Sequence, residues 1–169
     1  MEPNAYVSSL SAPLARAAAL LNSRVSAGTL PPVARLCLWS SVVSHLMERF
    51  CEGLSRVKKC SVPGRGLMSL DVGHAYARAM NLCPVPALVL PRDKAYVDAY
   101  VSAFYYDSEV DVLQWVAQHK ALYPLRVARA VLLHGGVAAG LKKKQLKDCV
   151  AAIEGLYELP AAGDAGDAR

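Results

Sequence analysis

One apolar stripe constrains this chain more than any other feature. Leu36, Trp39, Val43, Leu46, Phe50, Leu54 and Val57 recur at spacings of three and four. At about 3.6 residues per turn this makes one hydrophobic face running for roughly six turns of α-helix. A strand would need apolar residues at every second position, and none of the spacings here is two. The stripe therefore predicts a long amphipathic helix, with a bend or break only where the punctuation changes.

That punctuation is clear on both sides. Before the stripe, Gly28-Thr29-Leu30-Pro31-Pro32 ends one helix and starts the next, because glycine terminates helices well and proline in a first turn forfeits no hydrogen bond. After it, Ser61-Val62-Pro63-Gly64 is expected to form a turn. A first helix is expected from about Asn4 to Ser26, with Leu10, Leu14, Leu21 and Val25 on one side, and a third from about Arg65 to Leu82. Three prolines between Cys83 and Pro91 exclude a helix there and predict an extended connector. Asp93 is placed to cap a fourth helix, whose face reads Tyr96, Val97, Tyr100, Val101 and Phe104. Ser108 and Asp111 stand at capping-box spacing before a fifth helix carrying Val112, Trp115, Val116 and His119. Pro124 opens a sixth, which Gly135-Gly136 closes. A seventh begins near Lys142 and buries Leu146, Cys149, Val150, Ile153 and Leu156.

The expected fold class is all-α, a single bundle of about six or seven helices. Residues 1–159 are assigned to it. Residues 160–169, rich in Ala, Gly and Asp, are read as a disordered tail. Hydrophobic residues make up 54% of the 169, enough for a core without a metal or disulfide staple. The five cysteines show no CxxC spacing and leave one over, so the expectation is an intracellular protein with reduced, mostly buried thiols. The longest suggestive apolar stretch, Ala79 to Pro91, is shorter than the roughly 20 residues of a spanning helix and is broken by its prolines. Residues 5–26 contain Arg16 and Arg24 and no acid, a pattern shared by a first helix and by a mitochondrial transit segment.

Nothing in the sequence points to a catalytic centre. His45 and Cys51, six residues apart on one helix, fall on nearly opposite sides and would not share a metal ion. There is no G-x-S-x-G. Gly64-Arg65-Gly66 lacks the glycine frame of a nucleotide loop and follows no strand. Carboxylates are few and fall mostly on faces expected to be exposed, so no paired acid and base is indicated. The tyrosines at 96 and 100 fit a core at helical spacing better than base stacking. The chain is thus read as a non-enzyme with no cofactor, no small-molecule substrate and no nucleic-acid partner.

Charge supplies the candidate binding residues. The chain carries a net +5, but residues 1–92 alone carry +6. The excess peaks between Arg49 and Arg65, where Arg49, Arg56, Lys58, Lys59 and Arg65 face only Glu52. Arg56, Lys58, Lys59 and Arg65 are expected to form an exposed basic surface that would meet acidic protein or anionic lipid. Lys142, Lys143 and Lys144 set three positive charges against the dipole at a helix start, a conflict that points to a binding role.

A family resemblance gives these features a context. Val57-Lys58-Lys59-Cys60-Ser61, then Gly64-Arg65, Leu67-Met68 and Leu70-Asp71, closely resemble the C-terminal domain family of the syndetins. The likeness continues through Asp93-Lys94, Val97, Tyr100, Ala103 and Tyr105, returns at Trp115 and His119, and ends with Lys142-Lys143 and Ala151-Ala152-Ile153-Glu154. It covers about Leu36 to Leu156. Syndetin is a subunit of the endosome-associated recycling protein complex, a multisubunit vesicle tether built from helical rods. That complex shares its other subunits with the Golgi-associated retrograde tether. The resemblance implies an all-α fold like the end of a rod-like subunit and no enzyme activity. It implies work in endosomal recycling and retrograde traffic, at the cytoplasmic side of recycling endosomes and trans-Golgi membranes. Implied partners are the other tether subunits, with SNAREs and small GTPases as further candidates. Such proteins are much longer and join their complex through an N-terminal coiled coil that is not in these 169 residues, and their connector is shorter than Cys83–Arg92 here. The alternatives are a peripheral domain held weakly on anionic membrane by the basic face, and a small mitochondrial protein.

Overall fold

A computed structural model describes residues 2–58, 60–83 and 90–158. They form seven α-helices: α1 Ala5–Ser26, α2 Pro32–Leu54, α3 Val62–Leu82, α4 Lys94–Ala103, α5 Glu109–His119, α6 Leu125–His134 and α7 Lys143–Glu158. A single 3-10 turn, Gly136–Ala139, lies between α6 and α7, and no strand occurs among the described residues. The class is all-α, as the periodicity requires. Most of the proposed extended connector, residues 84–89, and the proposed tail, 160–169, lie outside the described residues. Two compact units emerge, one from Met1–Leu54 with Pro63–Val101, the other from Ser55–Val62 with Ser102–Arg169.

In the first unit the long stripe does what its spacing dictates. Trp39, Val43, Phe50 and Leu54 are buried, joined by Met47 and Cys51. Trp39 is fully enclosed and packs with Leu14 and Ala18 of α1, Ala79 of α3, Cys83 and Leu90. Its indole N–H donates to the Ala79 carbonyl at 3.1 Å. A buried indole needs such a partner, because leaving the N–H unsatisfied would cost roughly 1–3 kcal/mol. Gly28 ends the α1 turn at φ 70°, the left-handed conformation that a side chain resists. Around it the Arg24 carbonyl accepts from the Thr29 and Leu30 amides, closing the link into α2. Pro13 stands inside α1 and removes one helical hydrogen bond without ending the helix.

Two boundaries differ from expectation. Helix α2 stops at Leu54, so Val57 lies beyond it and is exposed although it keeps the stripe's spacing. The expected turn at Ser61–Gly64 is largely the first turn of α3, which begins at Val62. A proline there lacks an N–H that would have no helical partner anyway, so Pro63 starts the helix.

After the connector, the chain is moored to α2. The Arg92 amide donates to Ser44 Oγ at 3.4 Å, and its guanidinium pairs with Glu48 at 2.8 Å. The same guanidinium lies over the Tyr96 ring, 5.4 Å from its centre. Asp93 caps α4 by accepting from the Ala95 amide at 2.9 Å. Val97, Tyr100, Val101 and Phe104 are buried, so the aromatic face of α4 is core.

In the second unit, Ser108 caps α5 by accepting from the Val110 amide at 3.2 Å. Trp115 stacks on His119 and on Tyr123, with ring centres 5.0 and 5.1 Å apart. Helix α7 packs on α5 and α6, and Tyr157 donates its hydroxyl to the Tyr123 carbonyl at 2.7 Å. Gly135 ends α6 where no side chain fits: a Cβ there would stand 2.4 Å from the Val131 carbonyl oxygen. Next to it the Gly136 amide donates to the Phe104 carbonyl at 2.9 Å.

Candidate functional site

The basic segment is short and solvent-facing. Arg56 and Lys58 lie between α2 and α3, and both are exposed. Val57 and Val62 flank them and are exposed too, Val62 to 64%. Arg49 on α2 is engaged by Glu52, three residues along the same helix. Lys59 lies outside the described residues. Arg65 sits half-buried on the first turn of α3, in the other compact unit, so the candidate residues are distributed over both units.

Lys142, Lys143 and Lys144 are exposed at the start of α7. The Gln145 side chain accepts from the Lys142 amide at 3.1 Å and supplies the cap. No acidic residue occupies the first turn of α7, so no carboxylate there meets the positive end of its dipole. Such a start favours an anion brought by something else.

A second polar locus joins α1 to α3. Asp71 is only 2% exposed. Its carboxylate accepts from the Asn4 amide at 2.8 Å, from Asn4 Nδ2 at 2.7 Å and from the Tyr6 hydroxyl at 2.7 Å. Asn4 stands at the cap position of α1 but gives its side chain to Asp71. Burial, followed by the hydrogen bond to Asp71, pushes the Tyr6 phenol well above its ordinary range. Alongside this tie runs an open groove of about 280 Å³, lined by Val7, Ser8 and Ser11 of α1 and by His74, Arg78 and Asn81 of α3, among others.

The remaining perturbed groups are packing features. Burial raises the Cys51 thiol and pushes Tyr96 up to about 12, and the two neighbour each other beside Arg92. Burial also pushes Tyr157 up to about 12 and raises Cys149, whose thiol lies 3.6 Å from Glu109 Oε2. A raised thiol is the weaker nucleophile, the reverse of what thiolate chemistry needs. His45 is exposed and Cys51 buried, on opposite sides of α2 as their spacing requires. Among the described residues, no group of three or more His, Cys, Asp or Glu side chains is arranged to hold a metal ion. None of the described helices is long and apolar enough to cross a membrane.

The sequence alone gives Asp71 no role beyond its place in the family pattern and does not point to the groove. Asp71 occupies the register of the buried positions Met68, Val72, Ala75 and Ala79, and a carboxylate in that register is the signal to look for. His74, Arg78 and Asn81 follow Asp71 at spacings of three, seven and ten, on the flank of α3 that adjoins this buried register.

The described residues thus define an all-helical fold whose polar features are exposed basic segments and hydrogen-bonded helix ties. A family model described as "Syndetin, C-terminal" matches residues 1–154, and the chain belongs to that family. It is 28% identical over 154 residues to a syndetin of Gallus gallus, an alignment covering 89% of this chain and 15% of the relative. The syndetins of Mus musculus and Rattus norvegicus are each 29% identical over 126 residues, covering 73% of this chain and 12% of theirs. The chain therefore spans a small fraction of the length of these relatives. No solved structure matches it.

Proposed function

We infer that this chain is a non-catalytic interaction module of a multisubunit vesicle tether, acting in endosomal recycling and retrograde traffic through protein–protein contacts. The observation that carries this reading is family membership across residues 1–154. The surface chemistry agrees with it. Arg56 and Lys58, with the lysines at the start of α7, offer positive charge to acidic partners. Candidate partners are the other tether subunits, then SNAREs and small GTPases, met on the cytoplasmic side of recycling endosomes and trans-Golgi membranes. Lys59 and Arg65 remain in the proposed basic set. The test is localisation. The fluorescently tagged chain is expected on recycling-endosome and trans-Golgi membranes. A mitochondrial pattern would favour the transit reading of residues 5–26, and a diffuse one would contradict the tether reading.

One observation favours a second reading, direct contact with anionic membrane. Val57 and Val62 are exposed beside Arg56 and Lys58, which puts apolar and basic groups on one short segment. Each basic residue near an anionic surface is worth about 1 kcal/mol, so binding would be weak and salt-sensitive. Flotation with vesicles containing phosphatidylserine is expected to exceed flotation with neutral vesicles, and equal flotation ends this reading.

A further inference from the structure

We propose that the groove between the start of α1 and the second half of α3 receives the carboxylate of an acidic segment in a partner protein. This deepens the interaction-module reading and rests on it, by naming one contact site and the chemistry of what enters it. The two helices are held together beside the groove by the three hydrogen bonds that Asp71 accepts from Asn4 and Tyr6. Those bonds occupy the Asp71 carboxylate, which is buried, so its charge faces inward.

The groove lining is the reverse in character. Ser8, Ser11, His74, Arg78 and Asn81 are its hydrogen-bonding side chains, and each can donate. No carboxylate lines it. Among the described residues, none of the five has a side-chain hydrogen bond or ion pair with another. Val7 provides an apolar wall, already 93% removed from solvent. A concavity fringed by donors and free of acids is complementary to an acceptor-rich anion. Arg78 brings the one permanent charge, which matches a monovalent carboxylate, whereas a phosphate dianion calls for two.

Openness bears on the class of occupant. Small-molecule sites are roughly 300–1,000 Å³ and bury most of their ligand. This groove, about 280 Å³, is of the smallest such size but is open to solvent. It suits one inserted Glu or Asp side chain, with the rest of the ligand remaining on the surface.

The test is an NMR titration of the ¹⁵N-labelled 169-residue chain at low salt with a short polyglutamate peptide, and in parallel with inorganic phosphate. The expected result is peptide-induced shifts concentrated at Ser8, Ser11, His74, Arg78 and Asn81. Arg78→Glu is expected to weaken that binding by about tenfold or more, the scale of losing a hydrogen bond to a charged group. Arg78 is exposed, so the variant should fold, and an unchanged circular dichroism spectrum checks this. Shifts confined to Lys142–Lys144 or Arg56–Lys58, or unchanged in Arg78→Glu, would overturn the proposal. So would the absence of shifts, or phosphate binding in the groove without peptide binding. The tether reading is tested separately by localisation, so either can fail alone.

Discussion

Replacing Asp71 with alanine separates a helix tie from an idle buried acid. The carboxylate accepts three hydrogen bonds at 2.7–2.8 Å while only 2% exposed. Bonds to a charged acceptor are worth roughly 1.5–3 kcal/mol each, so their gross sum is large. Two effects reduce it. The carboxylate has been taken out of water, and Asn4 and Tyr6 are partly open to solvent, so their freed donors regain some hydration. The net loss expected for Asp71→Ala is about 2 kcal/mol. For a chain of this size that lowers the thermal midpoint by roughly 4–8 °C. Circular dichroism melts and urea titrations measure it. Tyr6→Phe alone should cost about 1 kcal/mol, and almost nothing in the Asp71→Ala background, because its hydroxyl then has no carboxylate to meet. A loss below about 0.5 kcal/mol for Asp71→Ala, or full additivity of the two changes, would refute the reasoning.

Other outcomes follow from the same physics. Gly135→Ala should destabilise by about 1–3 kcal/mol, because its Cβ would lie 2.4 Å from the Val131 carbonyl oxygen. Gly53→Ala, with open space around the same atom on α2, should stabilise by about 0.5–1 kcal/mol in the same urea titration. Trp39→Phe should cost about 2 kcal/mol, mostly for the cavity, since the Ala79 carbonyl still accepts the Cys83 amide at 3.3 Å. Stability should be flat near neutral pH and fall in alkali. Cys51, Cys149, Tyr6, Tyr96 and Tyr157 all hold their protons more tightly when folded. Their contribution is present below the ordinary thiol and phenol values of about 8.5 and 10 and is lost as pH climbs through the raised ones. Thermal midpoints that rise between pH 9 and 11 would contradict this.

The parts legible in the sequence are those fixed by local rules. Trp39, Val43 and Phe50 announce a helix by spacing, Gly28 and Pro32 mark a link, and Ser108 marks a cap. The helical spacing of Tyr96, Tyr100 and Phe104 predicts a core face, and Tyr100 and Phe104 are buried although α4 ends one residue before Phe104. Spacing fails where it continues past a real end. Val57 stands three residues after Leu54 and extends the stripe, although α2 has already stopped. Punctuation fails where a residue type serves two purposes, as Pro63 does by starting α3 instead of separating two helices. The Asp71 tie spans 65 and 67 residues of sequence, and no local pattern encodes a pairing at that range. The basic residues were visible as charge, but whether Arg56 and Lys58 face solvent depends on the fold around them.

Contact between this chain and other subunits of a vesicle tether, as proposed, is tested most directly by affinity capture of the tagged chain from cells, read by mass spectrometry. The subunits shared by the recycling and retrograde tethers should be recovered specifically. Recovery should fall when Arg56 and Lys58, or Lys142, Lys143 and Lys144, are changed to glutamate. Capture that returns none of those subunits, from cells in which they are expressed, would contradict the proposal.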